Sequence, residues 1–466
     1  MVFSSIPFLY YFLPAVMLLY FVVPAFLKNT VLLVFSLGFY AWGEPRYVFL
    51  MIATIAINYI LGILTEKFKG RPLSKVFLTL SIVFCLGALG YFKYADFFIE
   101  NVNNVFGMSV PLLGIGLPIG ISFYTFQIMS YVIDVYRGGV SAQRNIINLG
   151  AYVSLFPQLI AGPIVRYSDV ARQLKSRTHS LRKAHAGIRR FVIGLSKKII
   201  LANTLGELCT AFGAADDKSV LFYWLYAFAY MLQIYFDFSG YSDMAIGLGK
   251  IFGFDFMENF RYPLVSRSIT DFWRRWHISL GTWFRDYVYI PLGGNRRGAV
   301  RHIVNILVVW FLTGFWHGAE WNFIIWGLYF ALWLMIEKFF LGRYLQKSRV
   351  AGHIYVMFLV LISFGIFSAS GLGEAMSVVG GMFGIGTQSL VSQSLVYNLN
   401  SYALILIIAS VCATPLGARI KAAILSRRTA RIAFDILEIP VLVLLFVVVT
   451  AYLADGSFNP FLYFRF

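Results

Sequence analysis

Long apolar stretches separated by short polar interludes make up most of the chain, from its first residues to its last. A stretch of about 20 apolar residues is long enough to cross a bilayer as an α-helix. A further apolar run begins at Ile303, and single crossings are predicted at residues 6–27, 29–43, 47–65, 75–92, 114–136, 199–213, 219–238, 353–372, 401–418 and 436–453. The pattern therefore predicts an all-α polytopic membrane protein.

One apolar stretch, residues 145–165, does not fit a simple crossing. It is bounded by basic residues at both ends, and its second half contains Pro157, Gly162 and Pro163. Because proline removes a backbone donor, the carbonyl groups left without partners must be buried in protein or face a wet cavity. We expect a re-entrant hairpin here, with interfacial helices as the alternative.

Composition supports a membrane location. Of the 466 residues, 59% are apolar and 13% are charged, whereas an average globular chain carries about 25% charged residues. This composition leaves too little polar surface to cover soluble domains. Roughly 275 apolar residues suffice for about eleven transmembrane helices, together with re-entrant and interfacial helices.

The net charge of +18 lies in short interludes between the apolar stretches. Five of them are rich in Lys and Arg: residues 67–75, 166–198, 261–301, 343–349 and 419–431. Short loops of this kind stay on the cytoplasmic side, so both termini are predicted to be extracytoplasmic.

The interlude 166–198 is expected to form amphipathic helices along the cytoplasmic interface, in contact with membrane lipids. Nucleic acid is not expected as a partner, because no basic face with interleaved aromatic residues stands alone.

Polar and ionisable residues crowd into apolar surroundings between residues 235 and 321. Side chains of that kind are costly at membrane depth and indicate function. The three blocks that contain them are YFDFSGYSD at 235–243, DFWRRWHISLGTWFRDYVYIPLGGNRRG at 271–298 and TGFWHGAEWNFIIWG at 313–327. No His/Cys cluster with metal-ligand spacing and no Gly-rich phosphate loop accompanies them, so neither a metal nor a bound cofactor is expected.

His317 ends the apolar run that begins at Ile303, and it is flanked by Trp316 and Gly318. A neutral imidazole is well matched to taking a proton near pH 7, and a neighbouring glycine allows close approach of a substrate. Periodicity alone leaves open the alternative of a core histidine bonded to a backbone carbonyl. A second histidine, His277, lies 40 residues earlier, where it could orient the first or help to bind an oxyanion.

Four arginines surround His277: Arg274, Arg275, Arg285 and Arg296. Paired hydrogen bonds from guanidinium groups can hold the phosphate or pyrophosphate groups of a cytosolic donor. The alternative is that these arginines mark a cytoplasmic loop and pair with Asp271 and Asp286. The sequence leaves both interpretations open.

These blocks resemble the membrane-bound O-acyltransferase family. The resemblance rests on YFDFSGYSDMAIGLG, ITDFWRRWHISLGTWFRDYVYIPLGGNR, TGFWHGAEW, LPIGISFYTFQIMSYVIDVYRG, FPQLIAGPIVR and the opening MVFSS. Within the family the chain is similar to the branch of alginate O-acetyltransferase membrane subunits, which is related to teichoic-acid D-alanyl transferase. The resemblance implies a single membrane domain over residues 1–466, with core motifs at 114–341, around a central funnel or tunnel.

The resemblance also implies roles for individual residues. The catalytic histidine of the family corresponds to His317, and its second active-site position corresponds to His277. The residues expected to bind the donor or line the tunnel are Arg274, Arg275, Trp276, Arg285, Arg296, Asp237, Ser239 and Trp316. For Asp237 and Ser239, hydrogen bonds to the arginines of the second block are the alternative.

Substrates and partners follow from the same resemblance. In this branch an acetyl group passes from a cytosolic thioester, acetyl-CoA, to an acceptor reached from outside, whereas the D-alanyl branch uses a loaded carrier protein. No hydrolase-like domain follows the last helix, so an extracytoplasmic acetyl-accepting transferase is expected to complete transfer to a polysaccharide. The expected location is the bacterial cytoplasmic (inner) membrane. The alternatives are D-alanyl transfer, or a transporter or lipid flippase with half-helices at 145–165 and 261–298.

The C-terminal tail, residues 454–466, reads ADGSFNPFLYFRF. It is expected to be extracytoplasmic and is too apolar to float free, so an interfacial aromatic anchor is one interpretation. The segment FLYFRF resembles the terminal motif of a small partner in the D-alanyl transfer system, whose tyrosine carries the acyl group. The matching residue is Tyr463. Our hypothesis is that the tail folds back into the outer funnel and that Tyr463, deprotonated by His317, attacks the thioester to form an acyl-tyrosine.

Overall fold

The computed structural model describes residues 2–160, 162–387 and 389–456, and no β-strand occurs in these ranges. The tail segment that carries Tyr463 lies outside the described residues. In chain order the α-helices are α1 (Leu13–Val22), α2 (Lys28–Gly43), α3 (Tyr47–Lys67), α4 (Pro72–Leu89), α5 (Ala95–Phe106), α6 (Ile121–Arg137), α7 (Ile146–Ser154), α8 (Phe156–Leu159), α9 (Tyr167–Lys175), α10 (Leu181–Ser196), α11 (Asn203–Ala214), α12 (Val220–Ile251), α13 (Ile269–Arg275), α14 (Ile278–Phe284), α15 (Ala299–His317), α16 (Trp321–Ile336), α17 (Gly342–Leu345), α18 (Arg349–Phe367), α19 (Leu372–Met382), α20 (Gln393–Cys412), α21 (Leu416–Leu425) and α22 (Arg428–Ala454). The prediction of an all-α protein is confirmed for this part of the chain.

Short π-helical turns continue several of these helices without a loop. Within the described ranges they are Phe8–Phe12, Gly90–Tyr94, Lys197–Ala202, Arg285–Tyr289 and Glu337–Leu341. Such turns are rare in proteins, and those that occur often lie at functional sites. Three of them contain a charged residue that lies at or near the candidate active site described below, namely Lys198, Arg285 and Glu337.

Eight helical stretches of the described residues are long and apolar enough to cross a membrane. They are Ala25–Gly43, Tyr47–Lys67, Pro72–Phe106, Ala299–His317, Trp321–Leu345, Arg349–Phe367, Gln393–Cys412 and Arg428–Ala454. A shorter apolar helix, Phe8–Val22, precedes them. These helices confirm a multi-pass membrane protein, and the total of about eleven crossings stays a prediction.

The chain divides into two compact units. The first comprises Met1–Phe191 and Tyr241–Met257, and the second comprises Val192–Gly240 and Glu258–Phe466. The first unit is built around α6, in which every residue from 121 to 132 is buried. This helix begins later than the predicted crossing at 114–136, because Pro118 and the left-handed Gly120 (φ 74°) lie just before it.

The unusual apolar stretch at 145–165 lies in the first unit and is broken, as its prolines predict. The backbone of Leu155, between α7 and α8, leaves helical geometry with φ −50° and ψ 108°. At the break, the Phe156 N–H donates to Ser36 Oγ at 3.0 Å, and both groups are buried. A backbone donor freed by the break is thus satisfied inside the protein, and this segment is not a straight crossing.

The basic interlude at 166–198 forms α9 and α10, as expected. One face of α9 buries Tyr167 and Leu174. The expectation of an interfacial position does not hold for Lys198, whose side chain is 3% exposed and whose Nζ lies 2.7 Å from Oδ1 of Asp237, itself 2% exposed. This lysine is buried because an opposite charge is buried beside it.

The second unit contains α15 and α16, which pack against each other through two glycines. A Cβ atom on Gly327 would overlap the carbonyl oxygen of Trp310, and one on Gly314 would overlap that of Phe323. Small residues of this kind let two helix backbones approach closely. Because α15 ends at His317, the crossing of these two helices fixes where that side chain lies.

The core of the second unit is largely aromatic. Phe272 of α13 stacks on Trp276 with ring centroids 5.5 Å apart, and Trp326 of α16 packs edge-on against Phe330 at 5.2 Å. Aromatic side chains fill a large volume with few rotamers, so they form a stiff support for the residues that they surround.

We expect Gly327→Ala to destabilise the protein by about 1–3 kcal/mol, because the added Cβ fits only if α15 and α16 move apart. The midpoint of thermal unfolding in detergent measures this change. Gly87→Ala is the matched control: this glycine is also helical, but a Cβ there meets nothing within 4 Å, so stability should be unchanged or raised by about 1 kcal/mol. Equal midpoints for the two variants would contradict the close approach.

Candidate active site

The backbone makes an unusual turn at His277, between α13 and α14. Trp276 is extended (φ −102°, ψ 130°), and His277 is left-handed (φ 45°, ψ 53°). A left-handed residue other than glycine is uncommon, and such conformations persist at functional sites where the surroundings hold them. Within the described ranges, Tyr262 is the other non-glycine residue with a positive φ.

Asn259 holds this turn from one side. Its backbone carbonyl accepts a hydrogen bond from the Ile278 N–H at 3.0 Å. Its side-chain Oδ1 accepts from the Ser279 backbone N–H at 3.1 Å and from the Ser279 hydroxyl at 2.9 Å, and it lies 3.3 Å from Nδ1 of His277. One buried asparagine therefore contacts three consecutive residues of the turn.

Glu337 holds the first turn of α13. Its buried carboxylate accepts hydrogen bonds from the backbone N–H groups of Ile269 and Thr270 and, at 2.8 Å, from the Thr270 hydroxyl. A carboxylate in this place satisfies donors that have no partner within the helix, and it complements the helix dipole. The start of the short helix that leads to His277 is thus fixed.

His277 and His317 lie close together and are both buried. Their ring centroids are 6.4 Å apart, with the ring planes at 86°. Phe238 packs edge-on against His277 at 4.7 Å, and Trp316 lies 5.9 Å from it. The fold therefore brings together the two histidines that the sequence motifs singled out.

His317 is the last residue of α15, and its Nδ1 lies 2.7 Å from the carbonyl oxygen of Thr313. A carbonyl only accepts, so Nδ1 carries a proton, and in the neutral form of the ring Nε2 carries the lone pair. Trp326 and Phe367 enclose the ring at 5.0 and 5.6 Å. His317 thus has the hydrogen bond to a backbone carbonyl that is typical of a core histidine. In the neutral ring, the same hydrogen bond leaves Nε2 as the nitrogen that can accept a proton.

A partly open cavity of about 510 Å³ lies beside His277. Its volume is in the range of small-molecule sites, and its walls are mostly apolar with a few polar groups, as is typical of such sites. The lining residues are Thr270, Trp273, Arg274, His277, Ile278, Leu280, Gly281, Thr282, Phe284, Arg285, Tyr289, Val309, Trp310, Thr313 and Leu334. His317 is not among them and follows Thr313 by one turn of α15.

Two of the four predicted arginines line this cavity. They are Arg274 of α13 and Arg285 of the π turn that follows α14. Arg285 Nε also lies 2.7 Å from Oδ1 of Asp286, but its side chain is more than half exposed. Both guanidinium groups are thus placed to contact an anionic ligand in the cavity.

Three other predicted donor-binding residues are not in the cavity lining. Arg275 pairs with Asp271 at 2.8 Å, as the alternative interpretation proposed. Arg296 is exposed in the loop before α15. Trp276 is buried and stacks on Phe272.

The remaining predicted residues surround the histidines or lie in α12. Trp316 packs against both histidine rings. Asp237 forms the buried ion pair with Lys198, and Ser239 is buried, with no hydrogen-bond partner for Oγ among the described residues. Neither of these two lines the cavity. Tyr463 lies outside the described residues.

The protonation state of His277 follows from its surroundings. It lies outside the candidate membrane spans. Burial lowers the pKa of its imidazole well below the usual range, and the nearby His317 lowers it further. The ring is therefore neutral at physiological pH, so one of its nitrogens donates and the other accepts.

Two residues that hold the site were not singled out from the sequence. The sequence could have indicated Glu337, since it is an acidic residue within the apolar stretch Trp321–Leu345. No sequence pattern indicates Asn259, because it lies in the polar segment MENFR, 18 positions before the histidine that it contacts. Among the described residues, no group of three or more His, Cys, Asp or Glu side chains is arranged to hold a metal ion.

Comparison with a family model gives one match. Residues 139–378, about half of the chain, match the model described as the membrane-bound O-acyltransferase family. The matched segment contains both histidines and every residue of the cavity lining.

Individual relatives extend the similarity beyond this segment. A probable alginate O-acetylase, AlgI, of Azotobacter vinelandii is 41% identical over 100% of this chain and 100% of its own length. A peptidoglycan O-acetyltransferase of Helicobacter pylori is 32% identical over 84% of this chain and 81% of its own. A teichoic acid D-alanyltransferase of Bacillus subtilis is 31% identical over 48% of this chain and 59% of its own.

We expect Lys198→Met to destabilise the protein by about 3–5 kcal/mol, because it leaves the buried Asp237 carboxylate without this lysine. The double variant Lys198→Met/Asp237→Leu should recover most of the loss, since it removes both charges from the interior. Thermal-unfolding midpoints in detergent measure both changes. A double variant as unstable as the single one would show that the ion pair is not what stabilises this region.

Proposed function

Because the chain belongs to the membrane-bound O-acyltransferase family, we propose that it passes an acetyl group from cytosolic acetyl-CoA across the membrane to an extracytoplasmic partner protein. As a family member it is a multi-pass membrane O-acyltransferase. In this proposal the partner, an acetyl-accepting transferase, O-acetylates a cell-surface or secreted polysaccharide. Relatives named for alginate and peptidoglycan acetylation support an acceptor of the alginate-like exopolysaccharide or peptidoglycan class.

The observation that carries the proposal is the pair of buried histidines, of which His277 lines the cavity. Arg274 and Arg285 line that cavity, where guanidinium groups suit the phosphate and pyrophosphate groups of a coenzyme A donor. His277 lines the cavity as well, and the ring centroid of His317 lies 6.4 Å from that of His277. A thioester bound through its phosphates would direct its acyl end toward the two imidazoles.

The proposed chemistry is acyl transfer to a hydroxyl. Nε2 of His317 takes the proton of the attacking hydroxyl, whose oxygen then bonds to the thioester carbonyl carbon. The carbon–sulfur bond breaks, and the imidazolium returns the proton to the thiolate. The products are an acyl ester and free coenzyme A.

Tyr463 is the hydroxyl that we propose for the first transfer. A phenol of pKa about 10 is a weak nucleophile near neutrality, so it needs an adjacent base, the role assigned to His317. The acyl-tyrosine ester would then pass its acetyl group to the partner protein. In this proposal both termini are extracytoplasmic, the protein resides in the bacterial inner membrane, and the basic interludes contact cytoplasmic lipid headgroups.

We expect His317→Ala to lower acetyl-CoA turnover by purified protein about 10²–10⁴-fold, because the variant lacks the base. The assay measures coenzyme A release in detergent. His302→Ala is the matched control, since this histidine is also buried on α15 but bonds to Lys338 at 2.9 Å and does not line the cavity. It should retain turnover near that of the wild type.

The same assay tests the donor and the type of function. Turnover of a D-alanyl-loaded carrier protein in place of acetyl-CoA would assign the chain to D-alanyl transfer. Substrate accumulation in vesicles without any acyl chemistry would instead indicate a transporter and would overturn the enzymatic proposal.

We expect Tyr463→Phe to abolish acetylation of the acceptor, because it removes the attacking oxygen and keeps the ring. The intact-protein mass after incubation with labelled acetyl-CoA, followed by peptide mapping, should show one acetyl group on Tyr463 in the wild type and none in the variant. Acceptor acetylation that is unchanged in the variant would rule out the acyl-tyrosine step. Tyr452→Phe, at a half-exposed tyrosine near the end of α22, is the control and should leave the label in place.

A further inference from the structure

The amide of Asn259 has one orientation that its neighbours allow. The atom facing the turn lies 3.1 Å from the Ser279 backbone nitrogen, which always carries a hydrogen and can only donate. That atom must therefore be the carbonyl oxygen Oδ1. The Ser279 hydroxyl, at 2.9 Å, has its proton free to point at the same oxygen.

This orientation determines the tautomer of His277. Nδ1 of the ring lies 3.3 Å from Oδ1 of Asn259, and an amide oxygen offers only lone pairs. A favourable contact requires the proton to be on Nδ1. Because the ring is neutral, Nε2 then carries the lone pair.

Nε2 of His277 is available to a ligand. It is buried and has no hydrogen-bond partner among the described residues. His277 lines the cavity, whereas Asn259 and Ser279, which contact the Nδ1 edge, do not. A polar atom left without a partner in the interior costs free energy unless a substrate supplies the partner.

The groups packed against the ring leave this assignment intact. Phe238 of α12 and Trp316 of α15 contact it with aromatic faces or edges, and among the described residues His317 is the titratable group in ring contact with it. Arg274 and Arg285 line the same cavity and, as cations, favour the neutral imidazole.

We propose that Asn259 is a positioning residue that keeps His277 protonated on Nδ1, so that His277 meets the substrate as a hydrogen-bond acceptor through Nε2. His277 therefore receives an N–H or O–H of the substrate and does not donate to the oxyanion. The kinetic test of this proposal rests on the proposed acyl transfer, and its spectroscopic test does not.

The kinetic test uses Asn259→Asp, which keeps the acceptor oxygen and adds a negative charge beside Nδ1. A carboxylate there raises the pKa of His277, and below the new pKa both nitrogens carry protons. If Nε2 must accept, the acid limb of the pH profile, which is the pH at which kcat/KM for acetyl-CoA falls on acidification, should rise by about one pH unit or more. If Nε2 must donate, the same variant should instead gain activity at low pH, which would overturn the proposal.

Two further variants separate positioning from a general effect on the fold. Asn259→Leu removes the acceptor and should lower kcat/KM about tenfold without moving the acid limb. Asn398→Asp adds the same charge at another buried asparagine, on α20 and outside the cavity lining, and its acid limb should coincide with that of the wild type. Equal shifts for Asn398→Asp and Asn259→Asp would also overturn the proposal.

The spectroscopic test needs no activity. The full chain is labelled with ¹⁵N-histidine, and the His277 signals are assigned by their loss in His277→Gln. We expect a protonated Nδ1 and an unprotonated Nε2 in the wild type and a mixture of tautomers in Asn259→Leu. A protonated Nε2 in the neutral wild-type ring would overturn the proposal even if acetyl-CoA turnover is confirmed, and absence of turnover with the expected tautomer would count against the proposed function alone.

Discussion

A polar group buried in this chain must find its hydrogen bonds or its opposite charge inside the protein, and the region around the cavity is organised by that constraint. Lys198 and Asp237 satisfy it as an ion pair, and Glu337 satisfies it by accepting from the first backbone donors of α13. Nε2 of His277 is one of several buried polar atoms to which no described residue supplies a hydrogen-bond partner, and His277 lines the cavity. A ligand bound in the cavity would supply that partner, and for this reason the proposal assigns Nε2 of His277 to the substrate.

The strained turn at His277 follows from the same constraint. A left-handed histidine is unfavourable by itself, so it persists only where other contacts determine the backbone on both sides. Glu337 anchors the start of α13, and Asn259 bonds to the residues just after the turn. The imidazole itself is held by the 3.3 Å contact between its Nδ1 and Oδ1 of Asn259, and this is the preorganisation that a catalytic or binding group requires.

Sequence patterns predicted the parts of this structure that depend on neighbours in the chain. Apolar runs indicated the membrane helices, and Pro157 indicated the break between α7 and α8. Contacts between distant residues could not be predicted in this way. Lys198 looked like part of a basic interfacial stretch, and only its burial against Asp237 distinguishes it from the other lysines of that stretch, none of which is buried. Gly318 was expected to admit a substrate, whereas a Cβ there would overlap the ring of Phe323.

The two histidines hold a proton on Nδ1 by different means. In His317 the proton on Nδ1 is held by the carbonyl of Thr313, four residues earlier in the same helix. Any histidine that ends a helix with a suitable rotamer finds such an acceptor, so this preparation is local and is encoded by the helix itself. In His277 the acceptor is Asn259, which reaches the ring only because the chain folds back. The Nδ1 proton of His317, the base in the proposed mechanism, is therefore held by its own helix, whereas the Nδ1 proton of His277 depends on tertiary structure.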